Sequence, residues 1–266
     1  MLRILAAAGA VMVADGLWWE PHRLTVERLE IAFSELPPGL EGLRIVQLSD
    51  LHRGPVVGQE EIARAVARAN ALAPDLALLT GDYVSLSRQY AEPCAAALSA
   101  LRAPLGRYAV LGNHDHWAGA DAVAAALRSA GLTVLRNQAQ RIERGGADVW
   151  LIGVDDAFVR KHDLHAALQG VPAAAFKVAL MHEPDLADEI ARRPVQLQLS
   201  GHSHGGQVRL PGIGPLLLPR LGRRYPMGLY RVGQLRLYTN RGVGRVQPAL
   251  RFNCPPEITL ITLRRV

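Results

Sequence analysis

Five times along this chain a short apolar run stops abruptly at polar side chains able to bind a cation. The runs are Leu43 to Leu48, Leu76 to Thr80, Tyr108 to Leu111, Lys177 to Met181 and Val195 to Leu199, and a sixth, Val149 to Val154, ends at Asp155 and Asp156. Short runs rich in branched residues predict strands buried on both faces. Between them lie Ala-rich helical patterns at Glu60 to Leu72, Cys94 to Leu101 and Asp121 to Ala130. Asp121 is expected to cap the last of these at its start, and Gly131 to end it. Leu24 to Phe33 reads as an additional edge strand. After Pro211 the chain changes to Gly/Pro-rich turns, then short alternating runs at Leu229 to Val232, Leu235 to Thr239 and Ile258 to Leu263. Helices alternating with strands, then a β-rich end, predict an α/β layered domain with ligands at the carboxyl ends of the strands. The length of 266 residues supplies a full core for one such domain, and no linker divides it.

The residues at the strand ends carry the chemistry. Ser49, Asp50, Leu51 and His52 follow the first run; Gly81 and Asp82 the second; Gly112, Asn113, His114 and Asp115 the third. His182 follows the run Lys177 to Met181, and Gly201, His202, Ser203 and His204 come after Val195 to Leu199. Asp50/His52 and His202/His204 are i, i+2 pairs, which in extended backbone would aim both side chains the same way. Glycines beside Asp82, Asn113 and His202 allow sharp turns and close approach. Imidazole and carboxylate suit borderline and hard divalent ions such as Mn, Zn and Fe. One shared carboxylate can bridge two ions about 3.5–4 Å apart, the arrangement that clamps an in-line displacement and activates water near neutral pH. Any one of these side chains alone would signify hydrogen-bonded structure, but convergence of the whole set points to a site.

The blocks Asp50-Leu51-His52, Gly81-Asp82, Gly112-Asn113-His114-Asp115, His182 and Gly201-His202-Ser203-His204 resemble the five motifs of the calcineurin-like metallophosphoesterases, in order. The resemblance implies a double β-sandwich flanked by helices in four layers, and a binuclear metal centre. It implies that Asp50, His52 and His204 hold one ion, that Asn113, His182 and His202 hold the other, and that Asp82 bridges. It places Asn113 and His114 at the substrate phosphate, with His114 protonating the leaving oxygen. His182-Glu183-Pro184-Asp185, Gly205-Gly206-Gln207, Gly214 to Pro219 and Asn240-Arg241-Gly242-Val243-Gly244 extend the likeness to a membrane-associated bacterial branch. Some members are phosphodiesterases, and some resemble UDP-2,3-diacylglucosamine pyrophosphatases of lipid A synthesis. Ser85 and Leu86 stand where the Ser/Thr phosphatases of this superfamily carry an acid and a phosphate-binding Arg, which argues against a phosphoprotein substrate. His114 stands where the better-known diacylglucosamine hydrolases carry Arg.

Charge and the chain start bear on partners. After Gln207 there are eleven arginines and one acid, Glu257. Such asymmetry predicts an anionic partner, a membrane surface or polyanionic substrate, or else a solvated basic face. No aromatic-interleaved basic run supports nucleic acid. Ile4 to Val13 is apolar and ends near Trp18 and Trp19, shorter than the ~20 residues of a spanning helix. Residues 1–22 are therefore expected to form a membrane-associated segment ahead of a 23–266 domain, with Trp at the interface, on the bacterial inner membrane. Cys94 and Cys254 are expected to be buried thiols. His22, His162 and His165 fall outside the motifs, and His116 and Trp117 are placed to line the pocket mouth or pack in a turn. Asp155 and Asp156 are candidates for a supporting role. The competing readings are a soluble nucleotide or nucleic-acid phosphodiesterase and a non-catalytic metal-binding envelope protein.

Overall fold

The computed structural model describes residues 15–266. One sheet runs, in spatial order, β1 (Thr25–Phe33), β14 (Glu257–Arg265), β2 (Arg44–Leu48), β3 (Leu76–Leu79), β4 (Arg107–Ala109) and β5 (Thr133–Val134). The other runs β12 (Gly228–Val232), β13 (Leu235–Thr239), β9 (Leu197–Ser200), β8 (Phe176–Leu180), β7 (Ala147–Gly153) and β6 (Gln138–Arg144). Helices α1 (Gln59–Ala71), α2 (Ala91–Leu98) and α3 (Asn113–Ser129) cover the first sheet, and the short α4 (Leu164–Ala167) and α5 (Ala187–Ile190) the second.

The period of two explains the layering. On β3, Leu76 and Leu78 face the second sheet while Ala77 and Leu79 face the helices. On β8, Phe176, Val178 and Leu180 face the first sheet, and Ala179 turns to the other side. Both strands are thus buried on both faces, and the four expected layers of helix, sheet, sheet and helix follow. A buried amide ties the sheets together: Gln47 Nε2 donates to the Ser200 carbonyl at 2.9 Å and to Thr80 Oγ1 at 3.1 Å. The parallel pairs β2–β3–β4 and β7–β8–β9–β13 bring their carboxyl ends to one edge of the sandwich. β1 is an edge strand, pairing only with β14.

Two expectations need correction. Asp121 caps nothing: α3 begins at Asn113 behind Gly112, kinks at Gly119 (φ 123°), and Asp121 pairs with Arg136 instead. The Gly112 start matters because it puts Asn113 and His114 in the first turn of a helix. The i, i+2 pairs are not extended. Asp50, His52, Asp82, His202 and His204 all have φ between 50° and 68°, because the chain must turn sharply as it leaves each strand. Of the eleven arginines after Gln207, four form ion pairs among the described residues. Arg241 pairs with Glu27 and Glu257, Arg245 with Glu61, Arg264 with Glu30 and Glu41, and Arg224 with Asp188. Arg251 is fully buried among backbone carbonyls. Acids from the first part of the chain thus offset part of the charge.

The apolar stretch Ile4 to Val13 lies outside the described residues. Where description begins, the turn Asp15–Trp19 is fastened to the segment 250–254: Gly16 accepts the Arg251 N–H at 2.9 Å, and buried Glu20 accepts those of Asn253 and Cys254. Among the described residues no helix is long and apolar enough to cross a membrane.

Candidate metal centre

All eight residues singled out by the strand-end pattern meet where the two sheets' carboxyl edges converge. Asp50 and His52 leave β2, Asp82 leaves β3, His182 leaves β8, and His202 and His204 leave β9. Asn113 and His114 open α3. Left-handed backbone at a residue with a Cβ costs about 1–3 kcal/mol each, and such strain persists where the surroundings over-determine it. Here the surroundings are glycines. A Cβ on Gly201 would sit 1.9 Å from Ser49 Oγ and 2.2 Å from Asp50 Oδ2, and one on Gly112 would sit 2.3 Å from Asp82 Oδ1. Neither position has room for a side chain.

The donor atoms converge. His52 Nε2 and His204 Nε2 are 3.0 Å apart, and Asp50 Oδ1 lies 3.3 Å from His204 Nε2. Asp82 Oδ2 sits 3.4 Å from His52 Nε2 and 3.2 Å from His182 Nε2, midway between the two imidazole groups. Its other oxygen accepts the His114 N–H at 2.9 Å. Ring roles follow from the acceptors. His182 Nδ1 lies 2.7 Å from the Thr80 carbonyl, so it donates there and aims Nε2 inward. His202 Nε2 donates to the Arg220 carbonyl at 2.8 Å, leaving Nδ1 with the lone pair. Three sets of ligand atoms each fall within 4.8 Å of one another: Asp50/His52/His204, His52/Asp82/His114 and Asp50/Asp82/His182.

This cluster suits divalent cations. Among the described residues Asn113 Oδ1 is buried without a hydrogen-bond partner, and His182 Nε2 has none beyond the Asp82 carboxylate 3.2 Å away, a costly state unless something else is bound there. Burial alone would push the Asp50 and Asp82 carboxyls up, yet the surrounding imidazoles hold both well below the usual carboxylate range. Burial likewise disfavours a charged His182, but Asp82 holds it well above its usual value. The field between Asp50 and Asp82 therefore favours positive charge. Burial lowers His202 to about 4 and holds His204 well below its usual value, which keeps both rings neutral as ligands require. Burial also lowers His114, whose ring packs 4.7 Å from His52 on one side and 4.7 Å from Trp117 on the other.

Asp115, Ser85 and Glu183 carried no role in the sequence reading, whereas Asp155 and Asp156 were candidates for support. Asp115 accepts the N–H groups of Asp82, Tyr83, Val84 and Gly112 at 2.8–3.2 Å, clamping the Asp82 turn onto the first turn of α3. The motif-three Asp beside His114 was the available signal. Ser85 Oγ lies 2.9 Å from His52 Nδ1 and orients that ring. Glu183 accepts from Ala157 and Phe158, fixing the loop that brings Phe158 to 5.7 Å from the His202 ring. Asp155 binds His116 at 2.7 Å and Arg136 at 2.9 Å, so His116 packs inward while Trp117 stands at the pocket mouth. Asp156 accepts the Val159 N–H at 2.8 Å within the same loop. His22 faces Glu61 at 3.6 Å, away from the cluster, and neither His162 nor His165 belongs to a ligand set among the described residues.

The cluster opens into a cavity of about 530 Å³. Asp82, Asn113, His114, His202 and His204 form one wall, and residues 216–219 with Val246, Pro248 and Leu250 form the other.

Residues 43–206 match the family model described as calcineurin-like phosphoesterase. The chain is 36% identical to uncharacterized metallophosphoesterase YkuE of Bacillus subtilis (strain 168), over 97% of this chain and 93% of that protein. It is 33% identical to phosphodiesterase YaeI of Escherichia coli (strain K12), over 97% and 96% of the two chains. TT1561 of Thermus thermophilus, 14% identical, superposes with a TM-score of 0.53 over 76% of this chain and 90% of its own, and shares the fold. With motifs in order, donor atoms converged and relatives matched end to end, the chain belongs to the calcineurin-like phosphoesterases and is a metal-dependent phosphoesterase.

Proposed function

We propose that this enzyme hydrolyses a phosphodiester or pyrophosphate bond in a substrate with one apolar arm, such as UDP-2,3-diacylglucosamine, at a bacterial membrane surface. The single observation that carries this reading is the cavity itself, which has the donor cluster on one wall and Leu216, Leu217, Leu218 and Leu250 on the other. A polar bond held at the cluster leaves an attached apolar chain against the leucines, where burial contributes about 25 cal/mol per Å² of apolar surface.

In this reading Asp50, His52 and His204 would hold one divalent ion and Asn113, His182 and His202 a second, with Asp82 shared between them, and the pair would be drawn from Mn, Zn and Fe. Bound there, the ions would supply Lewis acidity toward the phosphoryl oxygens and a water made acidic near neutral pH. The protein's own residues do the rest. Asp115 and the glycines fix Asp82, so the bridging oxygen needs no rearrangement. His114, neutral in its buried setting, offers a ring N–H to the phosphate. An arriving anion beside it favours the imidazolium, which can then protonate the leaving oxygen. Leu218 and Pro219, both half-buried, line the same cavity.

A second reading rests on Trp117, which is 59% exposed at the cavity mouth and meets Phe158 edge-on at 5.7 Å. An exposed aromatic can stack a base, which suits a soluble nucleotide diester as well as the uridine of a lipid-linked one. The test is chelation, reloading with Mn, Zn or Fe separately, metal analysis, and hydrolysis of bis(p-nitrophenyl) phosphate. A panel of UDP-2,3-diacylglucosamine, cyclic nucleotides and oligonucleotides follows, with products identified by mass. Two ions per chain and cleavage of the lipid-linked pyrophosphate are expected. Cleavage of only the soluble nucleotides would favour the second reading.

A further inference from the structure

We propose that a lipid bilayer docks on the rim of the catalytic cavity through two exposed apolar groups, Leu17-Trp18-Trp19 and Ile213/Leu216/Leu217, so that the apolar wall opens onto the membrane. This rests on the lipid-linked reading above and names the surface that serves it. Six of the ten large apolar side chains exposed among the described residues are these six. Trp18 and Trp19 are 71% and 69% exposed, and Ile213 and Leu217 are 74% and 76%. Single exposed apolar residues are ordinary, but grouped ones mark an interaction site.

Both groups hang on one segment of chain. A Cβ at Gly16 would lie 3.2 Å from the Leu250 side chain, and Gly16 accepts the Arg251 N–H. From the other side Arg209 N–H donates to the Phe252 carbonyl at 2.9 Å, and Leu216 N–H to the Val208 carbonyl at 3.0 Å. Ile213 sits at the tip of the hairpin formed by β10 (Arg209–Leu210) and β11 (Gly214–Pro215). Leu250, Leu216 and Leu217 in turn line the cavity. The N-terminal turn, the hairpin and the apolar wall are therefore contiguous.

Chemistry selects a bilayer as the occupant. The chain that precedes the described residues carries the apolar stretch Ile4 to Val13, and it joins the fold at this rim. Tryptophan concentrates at membrane–water interfaces. Residues 208–224 contain four arginines and no acid. Arg220 and Arg223 turn their guanidinium groups to the Phe158 and Leu218 carbonyls beside the cavity, presenting positive charge to an anionic surface. One short apolar insertion binds membranes only reversibly, and stable attachment needs a second contact. The hairpin supplies it.

The test uses the full chain and phosphatidylcholine–phosphatidylglycerol vesicles. Wild type and the triple variant Trp18→Ser/Trp19→Ser/Ile213→Ser are compared by co-sedimentation and by hydrolysis of bis(p-nitrophenyl) phosphate, which also checks folding. None of the three side chains lines the cavity. The expected result is vesicle binding by wild type, a drop on the order of tenfold in the variant, and unchanged turnover of the soluble diester. Brominated acyl chains should quench wild-type emission and lose most of that effect in Trp18→Ser/Trp19→Ser. A triple variant that sediments like wild type overturns the proposal. So does wild type that stays in the supernatant, or that self-associates through this face without lipid. Binding as expected without cleavage of a lipid-linked diester upholds the docking face and refutes the substrate reading instead.

Discussion

The two walls of the cavity are built in opposite ways. On the metal-binding wall every side chain springs from a strand end or a helix start, several from left-handed backbone, with glycine neighbours that tolerate no Cβ. The facing wall comes from two loops, residues 208–219 and 246–250, whose leucines are partly exposed and make few polar bonds. Chemistry that depends on placing charge to within a fraction of an ångström is carried by over-determined backbone. Recognition of an apolar group needs only area and shape, and surface loops supply it. If this contrast is right, lesions in the first wall should destroy catalysis, and lesions in the second should shift substrate preference.

The largest effect is expected from Asp82→Asn. It removes the charge that lies between His52 and His182, so turnover should fall by several orders of magnitude and metal content should drop. Two retained ions at near-normal rate would break the assignment of the bridge. His114→Ala should slow hydrolysis by about 10²–10⁴-fold while metal content stays that of wild type. The deficit should shrink for esters with good leaving groups, which need no proton. A variant that loses its metals would show His114 to be a ligand, as its grouping with His52 and Asp82 allows.

Asp115→Ala probes how firmly the first wall is held. Four backbone N–H groups would lose their buried acceptor, at about 1–3 kcal/mol for each left unsatisfied. Urea unfolding should show a loss of about 3 kcal/mol or more, and a loss below about 1 kcal/mol would mean the turn is not held this way. The smallest effect belongs to the second wall. Leu217→Ser should raise KM for an acylated substrate about tenfold relative to that for a small diester, equivalent to about 1.4 kcal/mol. An equal change for both substrates would erase the distinction between the walls.

The first wall was legible in the sequence because each ligand ends an apolar run, and a buried strand announces itself by that run. The left-handed turns were not, since they follow from how the loops meet: His202 N–H reaches both Asp50 oxygens at 3.1 Å across the two sheets. β6 escaped notice because only Ile142 of its seven residues is buried, so it shows no alternation. The hairpin with β7 was nevertheless signalled by Gly145-Gly146, both at positive φ. The start of α3 was misplaced because Gly119 interrupts its pattern. The second wall was invisible for a deeper reason. Residues 211–219 read as Gly/Pro-rich turn, and only the packing of 250–254 between that loop and the N-terminal turn makes them a surface.

The most direct test sets both walls against one pair of molecules. Metal-loaded protein is given UDP-2,3-diacylglucosamine or the same compound without its acyl chains, with kcat/KM measured and products identified by mass. Cleavage at the pyrophosphate of both is expected, with the acylated substrate preferred at least about tenfold from burial of its chains. Equal kcat/KM for the two, or hydrolysis of small diesters with neither compound cleaved, would contradict it.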